Sequence, residues 1–90
     1  MRSRYTAYAR GEAPYLLSSW HRSTRPRRLD LDPDLRWTGL TVRSATGGLL
    51  DVFGVVAFEA RYDDGGRSGV LREISRFVRE DGRWYYVGPE

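Results

Sequence analysis

This 90-residue chain contains no cysteine and no lysine, and only one histidine and one methionine. Without cysteine there is no disulfide framework and no thiolate metal site. A single histidine falls short of the set of nitrogen ligands a transition metal needs, so no metal and no cofactor are expected. No apolar run approaches the roughly 20 residues that cross a bilayer as a helix. Arg2 and Arg4 are not followed by an apolar segment, so no secretory leader is read. A cytoplasmic location and no membrane partner are expected. The glycine clusters "TGG" and "DDGG" lack the spacing and the following lysine of a phosphate loop.

What remains is an ordinary globular composition of 40% apolar and 30% charged residues, sized for one domain over residues 1–90. All fifteen basic residues are arginine, which reads as codon usage in a GC-rich genome before it reads as selection for anion recognition. The charge is unevenly spread. Residues 1–28 carry seven arginines against Glu12, while residues 29–90 carry eight against eleven acids. Such polarity could steer an anionic partner toward the first third of the chain.

Hydrophobic spacing divides the chain into helices followed by strands. Met1, Tyr5 and Tyr8 form a helical stripe in "RSRYTAYAR". Ala13, Leu16, Leu17 and Trp20 form another in "EAPYLLSSW", with Pro14 acceptable in the first turn. Pro26 and Pro33 then break the pattern, and residues 21–35 read as a long connection with one short helical turn. From Arg36 onward the residues alternate. In the first strand, Trp37, Gly39, Thr41 and Arg43 are expected on one face and Thr38, Leu40 and Val42 on the other. The second places Val56, Phe58, Ala60 and Tyr62 together; the third places Leu71, Glu73, Ser75 and Phe77 together. Gly47-Gly48 can turn the chain, and "DDGG" and Asp81-Gly82 predict hairpins before the closing strand "RWYYV". Helices followed by hairpins define an α+β fold, with helices on one face of an antiparallel meander.

The blocks "MRSRYTAY", "YLLSSWHRSTRP", "FEARY" and "SRFVREDGRWYYV" closely resemble the central domain of the YchJ-like family of uncharacterised bacterial proteins. The resemblance spans residues 1–88. It implies a nuclear transport factor 2-like cone, with N-terminal helices packed on a bent antiparallel sheet of about four strands. Members usually carry a cysteine-rich, zinc-binding SEC-C motif beside this domain. Nothing of that kind occurs within these 90 residues, so the resemblance supports no zinc claim for them.

The interior of such a cone is the first candidate site. Tyr5, Tyr8, Trp20 and His21 would line it from the helical side. Trp37, Tyr62, Glu73, Ser75, Phe77 and one tyrosine of "WYY" would complete it from the sheet. His21 and Glu73 are the candidate acid/base pair, an idea that rests on analogy with enzymes of the same fold. In the plainer alternative the aromatics are core, Glu73 pairs across strands with Arg61, and His21 caps a helix C-terminus. Ser18, Ser19 or Ser23 with His21 would supply two members of a nucleophilic triad, but no nucleophile-elbow sequence accompanies them.

Arg22, Arg25, Arg27 and Arg28 form the second candidate, an anion-binding cluster with Ser23, Thr24 and Trp20 nearby. Asp30, Asp32 and Asp34 follow at once and offset that charge, so a nucleic-acid partner is disfavoured. The preferred reading is a non-catalytic binding or protein-interaction module, homodimeric through an exposed sheet face, with a small-molecule or protein partner. The alternatives are an acid/base enzyme using His21 and Glu73, and RNA or ribosome association through the basic N-terminal third.

Overall fold

The helical spacing at the N-terminus becomes two short helices in the computed structural model, which describes residues 2–48 and 50–90. Met1, expected on the first stripe, lies outside them. Helix α1 (Arg2–Arg10) buries Arg4 and Ala7 and half-buries Tyr5 and Tyr8. Helix α2 (Ala13–Ser18) starts with Pro14 in its first turn and buries Leu16 completely. It ends before the expected Trp20. The hydroxyls of Ser18 and Ser19 fold back on the carbonyls of Tyr15 and Leu16. The following backbone pairs with the sheet: Tyr86 N–H donates to Ser19 O at 2.8 Å, and His21 N–H donates to Tyr86 O at 2.7 Å. Trp20 thereby forms a parallel bridge with Tyr86. Sheet pairing takes the place of a further helical turn, a competition that serine side chains favour.

Four antiparallel strands follow in the order β1 (Leu35–Ala45), β2 (Phe53–Asp64), β3 (Arg67–Glu80) and β4 (Arg83–Pro89). Asp64 pairs with Arg67 across a two-residue loop in which Gly65 and Gly66 have φ of 59° and 92°. Glu80 pairs with Arg83 across Asp81 and Gly82, at 51° and 78°. Two successive positive φ values are what type I′ hairpins demand, hence these residues. The "DDGG" and Asp-Gly signals therefore mark real turns.

The inner face, toward the helices, carries Val56, Phe58, Ala60 and Tyr62 of β2 opposite Ser75, Glu73, Leu71 and Gly69 of β3. The phenol of Tyr62 lies where a Cβ at residue 69 would stand, so glycine lets this ring cross to β3. The expected alternation of β1 needs correction. Register shifts occur between Trp37 and Gly39 and between Val42 and Ser44. The extra residue at Thr38 flips the strand, so Trp37, Leu40 and Val42 oppose Tyr62, Ala60 and Phe58 on the inner face. Gly39 and Thr41 move to the outer face opposite Arg61 and Glu59. Simple alternation cannot foresee an inserted residue.

Ala7, Leu16, Phe58, Ala60 and Phe77 form the buried apolar core. The outer sheet face is held by a charge ladder in which the Glu59 carboxylate takes Arg43 at 2.9 Å and Arg72 at 3.5 Å. Among the described residues no helix is long and apolar enough to cross a membrane. Because Leu16 is fully buried, Leu16→Ala should cost about 2–5 kcal/mol in chemical denaturation. Leu50, 95% exposed, should tolerate alanine within about 0.5 kcal/mol in the same assay.

Candidate functional site

The most consequential side chain between helices and sheet is Arg4, only 4% exposed. Its Nη1 donates to Leu16 O at 3.0 Å and to Ser19 Oγ at 2.7 Å. The guanidinium also lies over the Tyr86 ring, 4.4 Å from its centroid, and over Trp20 at 5.2 Å. Among the described residues no carboxylate oxygen comes within 4.0 Å of it. The carbonyl ends of α2 and two aromatic faces therefore solvate this charge. Burial pulls its pKa below the ordinary arginine value, opposed chiefly by Tyr8 and Tyr86.

Arg4 borders two cavities. One, of about 230 Å³, lies toward Ser3, Tyr15, Ser19, Phe77 and Trp84. The other, of about 170 Å³, lies between α1 and the inner sheet face. Tyr5, Tyr8 and Trp37 form its aromatic wall, and Glu73, Ser75 and Tyr86 its polar floor. Trp37 meets both tyrosines edge-on, with centroids 6.3 and 6.2 Å away. Glu73 Oε2 accepts from Ser75 Oγ at 2.6 Å and from Tyr86 OH at 3.2 Å. Burial first, and the Glu73 carboxylate second, push the Tyr86 phenol up to about 12. Tyr86 is thus a steady donor to Glu73.

Five of the nine candidate cone residues line this second cavity: Tyr5, Tyr8, Trp37, Glu73 and Ser75. Phe77 borders the first cavity, and Tyr62 packs edge-on against Trp37 at 5.8 Å. Trp20 sits beneath Arg4 and edge-on to Tyr86 at 4.9 Å. His21 departs from expectation. Its Nε2 contacts Glu80 Oε2 at 2.9 Å, and its Nδ1 contacts Ser23 Oγ at 2.7 Å. Both ring nitrogens are thereby engaged away from Glu73, and the anticipated His21–Glu73 pair is not formed. The cause is local: Trp20 faces Tyr86 on the inner side of the sheet, so the next residue along the bridging strand turns the other way.

The two plainer expectations also need correction. Arg61 lies on the outer face and donates to Thr41 Oγ1, so it does not meet Glu73. The ring of His21 does not cap α2; Arg4 fills that place. Arg4 escaped sequence reading because charge outweighed its i, i+3 relation to Ala7, which was the available signal.

Ser23, His21 and Glu80 form a linear relay with triad-like contacts. Yet the Ser23 amide also donates to Nδ1, at 3.1 Å, and none of the three residues lines either cavity. The relay anchors the loop. The bond to His21 holds the Glu80 carboxyl below its usual range, and Arg22 adds to that effect. The arginine cluster is largely engaged within the chain: Arg22 with Glu80 at 3.4 Å, Arg25 with Trp20 O at 3.0 Å, and Arg28 with Asp30 at 3.1 Å. Arg27 stays exposed.

Two helices over one face of an open, bulged antiparallel sheet, enclosing a ligand-sized cavity, define an α+β domain of the nuclear transport factor 2-like class. The family described as "YchJ, middle NTF2-like domain" matches residues 1–89, and the chain belongs to it. A UPF0225 protein of Chromobacterium violaceum is 55% identical over 91 residues, spanning 97% of this chain and 67% of that protein. A UPF0225 protein of Streptomyces coelicolor is 52% identical, spanning 100% and 70%. The solution structure of a SEC-C motif containing protein from Rhodopseudomonas palustris superposes with a TM-score of 0.87 at 30% identity, covering all of this chain and 73% of that one. The 90 residues themselves do not suit a zinc ion. They include no cysteine, and among the described residues no three potential ligands gather.

Folded Tyr86 holds its proton more tightly than an unfolded tyrosine titrating near 10.0. The corresponding stabilisation is complete below pH 10 and lost as pH rises through about 12. Thermal denaturation across that window should show a steeper decline for the wild type than for Tyr86→Phe. Phenolate absorbance should show a late step that the variant lacks.

Proposed function

We propose that this domain is a non-catalytic small-ligand-binding module whose ligand occupies the cavity between α1 and the inner face of β2 and β3. The observation that carries this reading is the lining. Tyr5, Tyr8 and Trp37 supply an apolar wall, while Arg4, Glu73 and Ser75 supply a few convergent polar groups. That composition characterises sites that both hold and orient small molecules. The neighbours of Glu73 are hydroxyl donors rather than a basic partner, which favours recognition over proton transfer.

A fragment screen followed by amide and indole NMR should perturb Trp37 and Ser75. Ala60→Leu, which places bulk at the cavity wall, should abolish those shifts while retaining the folded spectrum, with an overpacking cost of about 1–3 kcal/mol. Undiminished binding by this variant, or shifts confined to other surfaces, defeats the reading.

A second reading, a homodimer through the outer sheet face, is favoured by Val70 and Ile74, 43% and 46% exposed beside the mixed charges of Arg43, Glu59 and Arg72. A face carrying both signs and an apolar strip can complement its own two-fold copy. Sedimentation should then show mass rising with concentration, and Ile74→Asp should hold the chain monomeric. A constant monomer mass for the wild type refutes it.

A further inference from the structure

Taking the cavity as a binding site, we infer that its ligand class is a small zwitterion, with a carboxylate directed to Arg4 and an ammonium group directed to Glu73. The inference rests on the pocket reading above and on how the two ionic groups are arranged. Both border the same cavity, yet they do not form an ion pair within 4.0 Å. Tyr86 stands between them: the guanidinium lies over its ring, and its hydroxyl is bonded to the carboxylate.

Each group keeps unused capacity. A guanidinium has five N–H donors, and the two hydrogen bonds of Arg4 both leave from Nη1. The two donors to Glu73 both reach Oε2, so Oε1 takes neither. No buried side-chain nitrogen or oxygen among the described residues lacks both a partner and contact with open space. The remaining atoms of these two groups are therefore not sealed from open space, and of the two cavities this is the one that both residues border.

Charge complementarity then selects the guest. A simple anion would satisfy Arg4 but face the Glu73 carboxylate, and a simple cation would satisfy Glu73 but face the guanidinium. A molecule with both charges a few bonds apart meets each wall with its opposite. The volume, about 170 Å³, suits a guest of roughly benzene size. The edges and faces of Tyr5, Tyr8 and Trp37 suit an aliphatic side chain or an ammonium group beside them. A free aliphatic α-amino acid or a small betaine has this combination of size and charge.

The probes are free aliphatic α-amino acids and glycine betaine, together with the methyl esters and N-acetyl derivatives of the same amino acids. They are titrated into the intact protein by NMR and calorimetry. A free zwitterion should bind, and each singly blocked derivative should bind about 10- to 100-fold more weakly, the loss of one charged contact. Glu73→Gln should erase the penalty for N-acetylation while leaving that for esterification. Arg4→Gln should do the reverse, and if it does not fold, Glu73→Gln still decides the matter. Equal affinity for blocked and free forms overturns the inference, as does no binding of any zwitterion at concentrations on the order of 10 mM. If uncharged fragments then still occupy the cavity, the pocket reading stands and only the charge assignment fails. If nothing enters the cavity, both fail.

Discussion

A guanidinium buried without a carboxylate beside it must find its solvation within the protein, and Arg4 organises much of the fold in doing so. Its Nη1 takes the carbonyl of Leu16 and the hydroxyl of Ser19, which ties α1 to the C-terminal end of α2. Its Cζ lies over the rings of both Tyr86 and Trp20, which ties the helices to β4. Carbonyl dipoles at a helix end and aromatic quadrupoles are both favourable to positive charge. One side chain thereby sets the helix positions, stands at the border of two cavities and meets the edge bridge between Trp20 and Tyr86. The clasp fixes geometry at a cost, because burial disfavours the charge that these dipoles and rings solvate.

The same clasp shapes the chemistry of the interior. Tyr86 serves as the platform for Arg4 and as a donor to Glu73, so cation and anion border one cavity without forming an ion pair. The aromatic edges of Tyr5, Tyr8 and Trp37 close that space from the other side. His21 takes no part. It belongs to a second network, with Ser23, Glu80 and Arg22, which pins the 19–25 segment to the end of the β3–β4 hairpin. The arginine-rich stretch is thus mostly an internally paired connection, since Arg22, Arg25 and Arg28 all have partners within the chain.

Much of the fold was legible because its signals are local. Gly65-Gly66 and Asp81-Gly82 are among the few residue pairs that suit two consecutive positive φ values, so the hairpins announce themselves. The inner faces of β2 and β3 followed from period-two alternation, which a half-buried strand requires. Trp37, Glu73 and Ser75 were placed in the cone on the same basis, and Tyr5 and Tyr8 by helical spacing and the cone that the family resemblance implies, although Trp37 kept its inward position only because the strand bulges beyond it. Arg4 and the pairing of His21 were not legible. Arginine is seldom buried and histidine is at home in either setting, and their partners, Tyr86 and Glu80, lie 82 and 59 residues away in sequence.

The sequence by itself determined the element order, the two type I′ turns, the α+β class and membership of the YchJ middle-domain family. Each of these depends on residues close together in the chain or on a block of characteristic spelling. Only the tertiary structure decided that Arg4 is buried, that Thr38 bulges and flips β1, and that His21 turns away from Glu73. The physical reason is the same in all three cases. The outcome depends on which distant groups meet once the helices and the sheet are brought together, polar partners for Arg4 and His21 and apolar ones for Leu40 and Val42, and that is settled by three-dimensional packing rather than by local propensity.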